Sequence, residues 1–133
     1  MQMDSICVHG GVCLQGKVKI QGSKNASLPI LAATLLTTGE NVLYNCPKIT
    51  DVCQMKQLLR SIGCIIREGC DCVSVNADRV WAGRMPAEAV QGMRSSVCML
   101  GALLGRCSQI VMEYPGGCVI GARPIDMHLS ALE

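Results

Sequence analysis

The sequence predicts an α/β (α+β) fold, and three patterns carry that expectation. Residues 12–20 alternate, with Val12, Leu14, Val18 and Ile20 on one face and Cys13, Gln15, Lys17 and Lys19 on the other. Val52, Met55, Leu58, Leu59 and Ile62 recur at helical spacing, and two branched runs flank Glu68-Gly69-Cys70-Asp71. Alternation marks a half-buried strand, helical spacing an amphipathic helix, and a polar glycine-bearing break between branched runs a hairpin. In chain order the elements read βαβαββ through Val75.

Gly22-Ser23-Lys24-Asn25 interrupts the first strand and offers Ser23 or Asn25 as N-cap for a helix running to about Leu36. Pro29 is expected in that helix's first turn, because deeper in, its ring meets the preceding turn. Gly39 ends the helix, residues 41–45 form a short strand, and Thr50 or Asp51 caps a second helix that Gly63 closes. Residues 64–67 and 72–75 make the hairpin. After a polar stretch at 76–84, Pro86 opens a region that is helical over 93–104. Residues 109–112 then form a strand, 114–124 a glycine-rich loop, and a last helix starts near Ile125. Its apolar stripe of Ile125, Leu129 and Leu132 is followed by no cap or further strand, so the chain is expected to stop within a larger architecture.

At 133 residues the chain suffices for one core and is short for an enzyme that binds two substrates. It holds no Phe, one Trp and two Tyr, so the core must rest on Leu, Ile, Val, Met, Ala and Cys. Twelve basic and ten acidic residues give a net charge of +2 without a basic stripe or aromatic platforms, which argues against nucleic acid. The longest apolar stretch, residues 26–36, is about half of the ~20 residues a membrane span needs, and Asp4 stands where a secretory leader would be basic. A cytoplasmic protein without a membrane partner is expected. Most of the ten cysteines are expected to be small core hydrophobes. Cys64, Cys70 and Cys72 cluster on the hairpin, but no C-x2-C pair occurs and neither His9 nor His128 is near in sequence. No metal is therefore expected.

Three segments concentrate the chemistry. Lys24 lies between a glycine turn and a helix start, where orphan N–H groups and the helix dipole favour an anion; a surface lysine beside an ordinary cap is the alternative. Arg94 stands among Met93, Ser95, Ser96 and Val97, so its guanidinium either reaches water or meets an anion. Cys118 differs from the other cysteines because Gly116, Gly117 and Gly121 surround it with loop. Exposure there, with Arg123 and a helix start close in sequence, favours a thiolate; a plain loop cysteine is the alternative. Arg123-Pro124-Ile125-Asp126 combines a bidentate anion binder, a proline suited to the first helical position, and an Asp that caps the helix or accepts from a ligand. His128 is expected to be a packed or solvent-facing residue.

Two stretches resemble the UDP-N-acetylglucosamine 1-carboxyvinyltransferases, the enolpyruvyl transferases of peptidoglycan synthesis. They are Leu14-Gln15-Gly16-Lys17-Val18-Lys19-Ile20-Gln21-Gly22-Ser23-Lys24-Asn25-Ala26-Ser27-Leu28-Pro29 and Pro115-Gly116-Gly117-Cys118-Val119-Ile120-Gly121-Ala122-Arg123-Pro124. The resemblance runs from about residue 11 to 133, and Ser23 and Ser27 stand where that family often has Ala. It implies an inside-out α/β barrel of βαβαββ units, of which the chain is part of one domain, since members are about three times longer. Residues 1–21 would be a first-strand region that packs with the second domain, and 22–133 a truncated N-terminal domain.

The implied reaction transfers the enolpyruvyl group of phosphoenolpyruvate to the 3-hydroxyl of UDP-N-acetylglucosamine, the first committed step of peptidoglycan synthesis, without a cofactor. By the same resemblance, Lys24 and Asn25 hold phosphoenolpyruvate, and Arg94 serves the phosphate or sugar-nucleotide side. Cys118 would be the proton donor and covalent adduct site, the thiol that fosfomycin alkylates, while Arg123, Pro124, Ile125, Asp126 and Met127 line the nucleotide site. The family's general base and further arginines lie beyond Glu133, so these residues alone are expected to be inactive. The alternative is a non-catalytic UDP-sugar-binding or self-associating remnant, a homo-oligomer joined through uncovered apolar faces. The sister family that acts on shikimate 3-phosphate fits less well, lacking the Pro-Gly-Gly-Cys loop and carrying Ser where Asn25 stands.

Overall fold

Helix α1 (Lys24–Ala33) begins where Ser23 leaves the extended conformation, so Ser23 is the N-cap and Asn25 already lies inside the helix. The cap works through the backbone: the Ser23 carbonyl accepts from the Ser27 N–H at 2.9 Å and from the Ser27 hydroxyl at 2.8 Å. These features belong to a computed structural model that describes residues 5–81, 84–107, 109–116 and 124–132. With the helix starting at Lys24, Pro29 falls in its second turn, deeper than the first-turn placement expected. The helical donor it withholds is the one that would reach Asn25, on an exposed face where water can serve instead. A 3-10 turn, Thr34–Leu36, finishes the helix.

Strand β1 (Glu40–Tyr44), helix α2 (Thr50–Ser61) and the hairpin of β2 (Ile65–Glu68) and β3 (Cys72–Asn76) follow closely as the sequence predicts. α2 buries Val52, Met55, Leu58 and Leu59, the stripe read from spacing. Its N-cap is Ile49, so Thr50 and Asp51 occupy the first turn and neither side chain caps; Asp51 instead complements the dipole there. At the other end Gly63 takes φ 100°. Its N–H donates to the Arg60 carbonyl at 3.1 Å and the Cys64 N–H to the Leu59 carbonyl at 3.0 Å, which is the Schellman closure. The three strands form an antiparallel sheet of order β1-β3-β2, in register through Tyr44↔Cys72 and Glu68↔Val73.

Residues 12–20 do not form the expected strand. Val12, Leu14, Val18 and Ile20 are 76–93% exposed, and no described strand offers them an edge. Alternation alone cannot make a ladder without a partner. The helical region expected at 93–104 is divided into a 3-10 turn, Arg94–Val97, and α4 (Cys98–Arg106), preceded by the short α3 (Ala87–Gln91) behind Pro86. The strand expected at 109–112 reduces to one parallel bridge between Val111 and Arg84. Helix α5 (Asp126–Leu132) starts where predicted, but none of its described residues is buried.

The core lies between one face of the sheet and the helices α1, α2 and α4, with Leu31, Leu35, Met55, Leu58, Val75 and Met99 fully enclosed. The cysteines depart from expectation. Of the nine described, only Cys64 is buried, whereas Cys7, Cys13, Cys53, Cys70 and Cys98 are exposed. Cys53 shows the reason: it falls between the stripe positions of α2 and so faces water. Among the described residues no helix is long and apolar enough to cross a membrane.

Candidate functional site

The start of α1 is anchored by a short relay of backbone bonds. Asn45 adopts a left-handed φ of 57°, its N–H donates to the Asp71 carbonyl at 3.0 Å, and its carbonyl accepts from the Gly22 N–H at 3.2 Å. Two residues later Lys24 extends its ammonium to Asp51, with 2.8 Å between Nζ and Oδ2. That ion pair joins the first turns of α1 and α2, so a cation and two helix starts with orphan N–H groups converge there. The Lys24 side chain is 52% exposed, which leaves it able to meet an anion from solvent. Asn25 is exposed in the same first turn.

Arg94 opens the 3-10 turn that runs into α4, and α4 packs on α1, so both cations ride on adjoining elements. The turn is pinned from inside. Met93 and Ser96 are buried, the Met93 N–H donates to the Val90 carbonyl at 3.3 Å, and the Ser96 hydroxyl donates to the same carbonyl at 3.2 Å. Arg94 itself is half-buried.

Gly116 lies hard against the backbone at the end of α3: a Cβ built there would stand 1.8 Å from the Gln91 carbonyl oxygen, so no larger residue fits without displacing the chain. Cys118 and Arg123 lie outside the described residues. Beyond them Pro124 is exposed, Ile125 is buried, Asp126 is the first residue of α5, and Met127 is 81% exposed. His128 is exposed, and its N–H donates to the Ile125 carbonyl at 2.9 Å. Among the described residues no group of three or more His, Cys, Asp or Glu side chains is arranged to hold a metal ion. The ion pair between Asp51 and Lys24 is the contact that sequence reasoning missed, Asp51 having been assigned to capping; it spans two helices, and no local spacing reveals it.

Residues 8–133 match the model of the EPSP synthase (3-phosphoshikimate 1-carboxyvinyltransferase) family. The chain belongs to that family. Among curated EPSP synthase-family relatives, the UDP-N-acetylglucosamine 1-carboxyvinyltransferase 1 of Symbiobacterium thermophilum is 47% identical over 131 residues, covering 95% of this chain and 30% of the relative. The UDP-N-acetylglucosamine 1-carboxyvinyltransferase of Sorangium cellulosum is 46% identical over 131 residues, covering 98% of this chain and 31% of the relative. The chain therefore spans about three tenths of the length of these relatives. A solved structure, the enolpyruvyl transferase NikO from Streptomyces tendae, superposes with a TM-score of 0.65 at 28% identity, over 74% of this chain and 23% of that one. The mixed α/β architecture is thus that of an enolpyruvyl transferase, and the resemblance read from the two sequence stretches is shown.

Proposed function

We propose that the protein to which these residues belong transfers the enolpyruvyl group of phosphoenolpyruvate to the 3-hydroxyl of UDP-N-acetylglucosamine, in the cytoplasm, as the entry step of peptidoglycan synthesis. The observation that carries this reading is the 41–47% identity, over nearly the whole chain, to relatives named for that reaction. The cation at the paired starts of α1 and α2 supports it, because phosphoenolpyruvate presents a phosphate and a carboxylate together.

In this reading the sugar 3-hydroxyl gives its proton to the family's general base, which these residues do not supply, and attacks carbon 2 of phosphoenolpyruvate while Cys118 gives a proton to carbon 3. Phosphate then leaves the ketal as carbon 3 loses a proton, which restores the carbon–carbon double bond. Lys24 and Asn25 hold phosphoenolpyruvate, Arg94 and Arg123 oppose phosphate charge, and Pro124, Ile125, Asp126 and Met127 flank the nucleotide. Lys24 must exchange or share its bond to Asp51 when the anion arrives, so Asp51 keeps the ammonium in place between turnovers.

The test is phosphate release by the full gene product with each acceptor. Release with UDP-N-acetylglucosamine and none with shikimate 3-phosphate is expected, with Cys118→Ser and Lys24→Ala each lowering the rate at least about a hundredfold. The reverse acceptor preference overturns the reading. A second reading, a self-associating or UDP-sugar-binding module, draws on the exposed Val12, Leu14, Val18 and Ile20. Light scattering and calorimetry with UDP-N-acetylglucosamine on the 133-residue chain separate the two: a monomer that takes up no nucleotide removes the second.

A further inference from the structure

The end of β1, the hairpin loop and the start of β3 bring three thiols, Cys46, Cys70 and Cys72, to one crevice. β1 and β3 pair through Tyr44↔Cys72, and the next residues, Asn45 and Asp71, are joined by a backbone bond of 3.0 Å. Cys46 and Cys70 follow next along the two antiparallel chains. The ladder itself ends at Tyr44↔Cys72, so Cys46 and Cys70 lie one residue beyond the Asn45–Asp71 bond, Cys70 within the Gly69–Cys72 turn. A disulfide between them requires their Cα atoms to come within ~4.4–6.8 Å. The left-handed Asn45 turns its chain inward at this point, so Cys46 packs against the core while Cys70 stays exposed, and both line the same crevice with Lys48 and Lys56. Both thiols are free. Cys72 is less suited, since its Sγ fills the space beside Gly69, 2.8 Å from where a Cβ would stand.

We propose that Cys46 and Cys70 form a reversible disulfide, exchanged with low-molecular-weight disulfides. The exposed Cys70 thiolate attacks one sulfur of the small disulfide, whose S–S bond breaks to release one thiolate. The Cys46 thiolate then attacks Cys70 Sγ, breaking the mixed disulfide and releasing the second. Two protein thiols are oxidised to one disulfide, and the small disulfide is reduced to two thiols that take up the two protons. Burial raises the Cys46 thiol above its ordinary range while the Lys56 ammonium pulls it partly back, so Cys46 is the slower nucleophile and the exposed Cys70 reacts first.

The bond closes around Asn45, whose N–H and carbonyl tie Asp71 to Gly22, and so staples the turn that delivers Lys24. The test incubates the dilute full gene product with oxidised glutathione, quenches with acid, alkylates, and maps peptides by mass spectrometry. A linked peptide joining Cys46 to Cys70, reversed by dithiothreitol, is expected, together with a higher Tm that Cys70→Ser does not show. In Cys46→Ala, glutathione should remain attached at Cys70. A wild-type protein that keeps glutathione on Cys70 without the internal link, that joins Cys46 to Cys72, or that leaves both thiols reduced overturns the proposal.

Discussion

Lys56 carries its charge into the space between α2 and the hairpin, where its side chain is 8% exposed, and Glu68 meets it at 2.6 Å. Arg60 approaches the other carboxylate oxygen at 3.1 Å. The hydrogen bond from Lys56, then that from Arg60, hold the Glu68 carboxyl below its ordinary range. A carboxyl lowered in the folded state contributes stability above its unfolded value, and that contribution is lost as pH falls toward the lowered folded one. Glu68→Gln should therefore cost roughly 1–2 kcal/mol at neutral pH, less than a fully buried pair because Glu68 is half-exposed, and little in acid. Thermal unfolding of both proteins at pH 7 and in acid checks this; an equal deficit at both would contradict the assignment. Lys24 was legible as an anion candidate because a glycine turn and helix start flank it, but Asp51 and the Lys56–Glu68 contact join residues from separate elements and left no local trace.

At the scale of elements, the α2 closure depends on backbone shape. Gly63 has φ 100°, and a Cβ there would stand 2.6 Å from the Arg79 carbonyl oxygen, so Gly63→Ala meets both torsional strain and a backbone collision. A loss of about 2–3 kcal/mol is expected, read from the denaturant midpoint with the m-value unchanged. Leu58→Ala, which empties a fully buried site on the same helix, should cost about 2–5 kcal/mol. α2 and the hairpin were readable because their periods, break residues and partners all lie within a short stretch of chain. The region at 93–104 was misread as one helix because its apolar content continues through Arg94–Val97, while the change to a 3-10 turn follows from Met93 and Ser96 both docking inward.

For the molecule as a whole, sequence and structure part most clearly at residues 12–20. Alternation reports which side chains want a shared face, and it is silent on whether an edge is present to receive them. The proposed packing of this segment with a second domain makes a quantitative prediction. Val18→Ser with Ile20→Ser should change the stability of the 133-residue chain by less than about 0.5 kcal/mol, since both side chains already face water. The same pair in the full gene product should lower Tm by several degrees. Equal effects in the two settings would remove the proposed packing.

Gly22 also marks a boundary for enzymes that cut protein. Ahead of it Lys19 reaches Asp71 at 3.2 Å with both side chains well exposed, whereas beyond it the backbone enters hydrogen-bonded helix. Limited trypsin should cleave after Lys17 or Lys19 well before it reaches Lys56 or Arg60 in α2, and the product beginning near Ile20 should keep the melting transition of the uncut chain.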